Sequence, residues 1–121
     1  NELICNGPDS MQGWIRSHFS NDALHLLPQI VPYVDHFPFV VAGVPAVSLL
    51  RVNCVAGRFF HHRPDDDLRR VSTAVMASLL KGVVASVGEL AEGGQMEFEA
   101  AIPGDLAATA EKCWRDLFGG W

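Results

Sequence analysis

His62 is followed by Arg63-Pro64 and then by three aspartates in a row, Asp65, Asp66 and Asp67. An imidazole with carboxylates this near is the grouping a metal ion needs. A neutral ring nitrogen binds the ion, and an acceptor on the other ring nitrogen fixes tautomer and orientation. Asp66 is the carboxylate expected to steady His62. It also suits the start of a following helix, which Asp66 or Asp67 would cap and where the macrodipole favours negative charge. His61 would point the other way in an extended loop and is read as solvent-exposed. Upstream, Asp35-His36 stand before Phe37-Pro38. Asp35 is expected to play a supporting role behind the metal ligand, with a helix N-cap as the competing reading. Phe37, Phe39, Phe59 and Phe60 are candidates to wall an apolar side-chain pocket, with a core role the safer reading for most of them; Phe59 and Phe60 are the pair assigned to the pocket.

Positioning these groups requires alternating strands and helices. Glu2–Cys5 is a short apolar run stopped by Asn6-Gly7-Pro8, a strand followed by Pro in the first turn of a helix. Met11, Trp14, Ile15, His18 and Phe19 then form one stripe of a helix over 8–19. Ala23–Leu27 is a possible strand, and Pro28–Tyr33 a loop. His36–Ala42 reads as a short helix, with Gly43 at the position where a positive φ is wanted. Val44–Leu50 is apolar and partly β-branched, as expected of a central strand buried on both faces, with Pro45 at its start. Residues 51–66 would be a long loop, and such loops are more often functional than decorative. The set Leu68, Val71, Val75, Met76, Leu79, Leu80, Val83, Val87 and Leu90 predicts the longest helix over 67–91, ended by Gly93-Gly94. Met96–Ala100 alternates like a strand, and Asp105–Phe118 repeats like an amphipathic helix. The order predicts one α/β domain, a layered αβα arrangement on a mainly parallel sheet.

Composition narrows the class. The chain has 121 residues, 49% of them hydrophobic, and a formal net charge of −5. That length supports a real core. The acidity argues against nucleic acid and against an anionic membrane surface as partners. No uninterrupted apolar run reaches the roughly 18 residues of a transmembrane helix, so none is expected. Cys5, Cys54 and Cys113 are odd in number and lack C-x-x-C spacing, which points to neither a disulfide framework nor a zinc ribbon. The N-terminus gives no reading of the compartment.

Two motifs carry a resemblance. D-H-F-P-F-V-V-A-G-V-P-A at 35–46, with H-R-P-D-D-D-L at 62–68, closely resembles the C-terminal part of the two-zinc aminopeptidase family, where S-D-H-x-x-F-x-x-x-G-I-P-A is followed by H-T-x-x-D-T-L. Val34 stands where that family has Ser, Arg63 where it has Thr, and Asp67 where it has a second Thr. The resemblance covers roughly residues 1–91, with specific motifs only in 35–68, and leaves 92–121 as an unassigned tail. It implies a zinc-exopeptidase-like fold, with His62 as one ligand of a two-zinc centre.

The family's other ligands, a His, a bridging Asp, a Glu-Glu pair holding the general base and a further Asp, precede this segment. Residues 1–34 contain neither H-x-D nor E-E. The expectation is therefore an incomplete domain, the C-terminal portion of an exopeptidase that hydrolyses a terminal peptide bond through a metal-activated water. Alone it would bind zinc weakly or not at all. Its partners would be a peptide or aminoacyl substrate and the missing N-terminal part. Two relatives of the same fold widen the choice. Glutaminyl cyclase, an aminoacyltransferase, has a similar D-H-x-P-F and an H-T-M-D-D pattern to which Asp65-Asp66 is similar. The transferrin-receptor type keeps the fold without metal chemistry and works through protein contacts. An exposed sheet edge at residues 2–5 and apolar surface near Phe59 and Phe60 would make the isolated chain self-associate.

Overall fold

In the computed structural model, which describes residues 1–19, 24–27, 29–51, 53–93 and 96–120, the apolar run Glu2–Asn6 forms strand β1, buried along its whole length. Helix α1 (Asp9–Ser17) follows with Pro8 at its N-cap and buries Met11, Trp14 and Ile15. Next come β2 (His25–Leu27), α2 (Phe37–Val41) and β3 (Ala46–Leu50). Then come α3 (Val55–Phe59), a 3-10 turn at Leu68–Arg70, α4 (Thr73–Glu92) and α5 (Gly104–Phe118). Ala23, Pro28 and Gly94, which belong to the predicted second strand, loop and helix end, lie outside the described residues.

The sheet is mixed, in the order β2-β1-β3. β1 runs parallel to β2 and antiparallel to β3, with Glu2 opposite Leu50 and Asn6 opposite Ala46. This corrects the expectation of a mainly parallel sheet with 44–50 at its centre. β3 is a half-buried strand on the edge of the described sheet, and the middle place falls to β1, in which Leu3, Ile4 and Cys5 are fully buried. Apolar continuity marks a strand covered on both faces, and helices can cover an edge strand as well as a central one. The same finding corrects the expected open edge at residues 2–5.

Side-chain alternation along β1 and β3 builds two cores. Leu3 and Cys5 meet Met11, Trp14, Ile15, Phe19 and Phe98, with Val47, Leu49, Leu79 and Val83 packed around them. On the other face Phe37 and Val40 of α2 pack with Ala110 of α5, flanked by Ala46, Ile102 and Trp114. The layering is thus helix, sheet, helix: α1 and α4 on one side, α2 and α5 on the other.

Three further expectations change. The predicted helix from 67 is interrupted: Asp67 caps only the 3-10 turn, Val71 is extended, and α4 starts after Ser72, whose hydroxyl accepts from the Val75 N–H. Residues 51–66 are not wholly loop, since α3 lies within them. Met96–Ala100 forms no strand; the alternation there serves to place the buried Phe98 ring 5.3 Å from that of Trp14.

α4 is apolar nearly all round. Gly82 and Ser86 are its buried residues, while Met76, Leu80, Val84 and Val87 are 58–63% exposed along one outward stripe. By length and composition it is the one helix among the described residues long and apolar enough to cross a membrane.

Candidate functional site

The chemistry-bearing residues separate into two places. The first is the exposed loop after α3. His62 is exposed and holds φ at +59°, the one non-glycine residue with positive φ among the described residues. Its ring lies 3.9 Å from that of His61, centroid to centroid. Of the aspartates that follow, Asp65 and Asp67 are engaged with arginines through their carboxylates. Asp65 lies 3.7 Å from Arg63. Asp67 accepts from Arg69 through both backbone and guanidinium, and those bonds hold its carboxyl below the usual range. Asp66 is exposed, and its N–H donates to the Arg63 carbonyl at 3.0 Å. Phe59 is 61% exposed. Phe60 is half-buried beneath the Arg70 guanidinium, 3.7 Å from its ring centre.

The second place is the far end of the sheet. Asp35 is exposed there, and His36 rather than Asp35 holds the N-cap position of α2. His36 itself is buried and bonded on both ring nitrogens, Nε2 to Asn6 Oδ1 at 2.8 Å and Nδ1 to Ser48 Oγ at 2.9 Å. Asn6 Nδ2 donates to the Gln29 carbonyl at 3.1 Å. That bond fixes the direction of the rest. With its amide nitrogen committed, Asn6 presents oxygen to His36, so Nε2 carries the proton and Nδ1 accepts from the Ser48 hydroxyl. Burial pushes the His36 pKa below the ordinary histidine value, in keeping with a neutral ring. Serine, imidazole and amide in line are the order of a nucleophile, its base and an orienting group. Buried and mutually satisfied, they act here as a latch that ties α2 to β1 and β3.

The antiparallel pairing keeps the two places apart. His36 stands beside Asn6 at the C-terminal end of β1, whereas residues 51–66 leave β3 beside Glu2, at the other end. A five-residue strand spans about 13 Å between those ends. Among the described residues no three His, Cys, Asp or Glu side chains come together to hold a metal ion.

Sequence reasoning singled out the Asp35-His36 pair but gave the role to Asp35, and it passed over Asn6 and Ser48. The available signals were polar residues ending or interrupting buried apolar runs. It also placed His18 within an apolar stripe, whereas the structure gives it a charged partner. Glu89 of α4 accepts from Trp14 Nε1 at 2.5 Å and bonds His18 Nε2 at 2.8 Å. His18 Nδ1 lies 2.9 Å from the Trp14 carbonyl, and this bond, with Glu89 beyond it, raises the His18 pKa. The bonds from Trp14 and then from His18 lower that of Glu89.

Comparison of the chain with family models, with curated proteins and with solved structures finds no match.

Proposed function

We propose that this chain is the C-terminal portion of a zinc-dependent exopeptidase, contributing His62 to a metal centre completed by residues outside it. The observation that carries the reading is the backbone at His62. A side chain other than glycine is held at φ +59° on an exposed loop, and conformations of this kind gather where geometry serves a site. The motif around it, H-R-P-D-D-D-L, supports the same role. The described residues do not fit a complete zinc centre, because a catalytic zinc takes about three protein ligands and His62 is the single one offered here. Phe59, 61% exposed and three residues before His62 in sequence, is the ring this reading assigns to the side chain of a peptide or aminoacyl substrate.

The experiment uses the complete protein that contains this segment. His62→Ala should abolish aminopeptidase activity and lower zinc content while leaving the circular dichroism spectrum unchanged. Full activity in that variant would sink the assignment.

A second reading, a non-catalytic interaction domain of the transferrin-receptor type, is favoured by the outward apolar stripe of α4. In that case His62→Ala changes nothing, and charge placed on the stripe abolishes binding between chains. A glutaminyl-cyclase-like aminoacyl transfer is the catalytic variant, separated from the first by release of a cyclised rather than a hydrolysed product.

A further inference from the structure

A half-open pocket of about 420 Å³ lies between the N-terminal half of α4 and the segment that leaves β3. Its volume falls in the range of about 300–1,000 Å³ typical of small-ligand sites. Val71, Val75, Met76 and Leu79 make its apolar side, and Arg51 and Arg70 reach it from two separate segments. The charges are what set this pocket apart. In a chain of formal net charge −5, neither Arg51 nor Arg70 forms an ion pair with any described residue. The neighbouring Arg69 shows the alternative, its guanidinium held by Asp67 at 2.5 Å. Arg70 turns instead over the Phe60 ring at 3.7 Å, beyond ion-pair distance of Asp67 although its charge helps to lower that carboxyl. That contact orients the guanidinium yet leaves its donors available.

We infer that this pocket binds a small amphipathic carboxylate, with its head group on Arg51 and Arg70 and its short aliphatic tail against Val75, Met76 and Leu79. Two guanidiniums set a planar, two-oxygen anion as the head, since the planar fork of each matches a carboxylate. The apolar side excludes a purely polar anion as the best ligand, because such an anion would leave that surface uncovered. The site is independent of His62 and does not require the peptidase reading to hold.

The test titrates octanoate into the 121-residue chain labelled with nitrogen-15 and follows the amides of Val71, Val75 and Leu79. Saturable shifts at these three positions are expected. Octanol, with the same tail and no charge, and acetate, with the charge and no tail, should each bind at least about tenfold more weakly. Arg51→Ala and Arg70→Ala should each weaken octanoate about tenfold, the usual worth of one charge-assisted contact, and both sites are exposed enough to leave folding intact. Val75→Trp, which fills the pocket, should remove the shifts. Equal binding of octanol and octanoate, unchanged affinity in both arginine variants, or no saturable shift would each overturn the site. Tighter binding of octyl phosphate than of octanoate would overturn the carboxylate head.

Discussion

At Gly82 a single missing carbon matters to the packing of the core. A Cβ built on it would lie 2.5 Å from the ring carbons of Phe19, and Phe19 is a buried member of the core beneath α4. Alanine would gain about 1 kcal/mol of helix propensity against about 1–3 kcal/mol of overpacking. Gly82→Ala should therefore lower stability, read as a fall in the urea midpoint; a rise would show that Phe19 seats elsewhere. His36 makes the opposite demand, that nothing be removed. His36→Ala would strand Asn6 Oδ1 and the Ser48 hydroxyl and open a cavity, a loss of about 2–4 kcal/mol.

His36 also fixes a sign with pH. Its folded pKa lies below the ordinary value of 6.5, so its contribution is full above that value and is lost as pH falls towards the folded one. His36→Gln, which cannot charge, should flatten this acid-side loss of stability when midpoints are compared between about pH 7 and pH 5.

Between elements, the clasp of Trp14, His18 and Glu89 ties α1 to the end of α4. Its two charged members titrate in opposite senses. His18 is raised, so its share is full below 6.5 and is lost as pH climbs through its folded pKa. Glu89 is lowered, so its share is full above 4.5 and is lost as pH falls through its folded pKa. The clasp holds best between those two values, and His18→Gln should remove its weakening on the alkaline side in thermal melts across the pH series. A parent and variant with parallel profiles would mean that the ion pair is not formed.

At this scale the sequence was legible where the period was long. The helix over the α4 segment and the helix of 105–118 follow from spacing alone, because their apolar residues repeat at helical intervals; which face is buried does not follow, since in α4 it is Gly82 and Ser86 that are covered while Met76, Leu80 and Val87 face outward. The boundary near residue 67 did not, since Ser72 makes a better cap than the aspartates before it and a 3-10 turn consumes Asp67. Strand rank was invisible for a different reason. VPAVSLL is as apolar as ELIC, and only pairing decides which lies in the middle. The candidate site was legible as a loop rich in His and Asp, while its separation from Asp35-His36 depended on strand direction, which no local pattern shows.

For the molecule as a whole, α4 poses the largest question. A helix apolar on all sides is normally buried on all sides, yet Met76, Leu80, Val84 and Val87 face outward. A stripe of this kind calls for a cover, and a second copy of the chain would supply one. Sedimentation across a concentration series should show dimers, and the double variant Leu80→Asp with Val84→Asp should run as a monomer with an unchanged circular dichroism spectrum. A parent that stays monomeric at the highest concentration would rule out self-association by this face.

The central place of β1 has a consequence in time as well as in space. β1 bonds to both neighbours, and its antiparallel partner lies at 46–50, so neither core has a floor until a stretch of chain long enough to include α1 and α2 has looped back. Closing such loops is the slow part of forming a sheet. Once closed, β1 is sealed by strands on both sides and by helices on both faces. In deuterated water its amides should be the last to exchange, and those of α3 should be among the first.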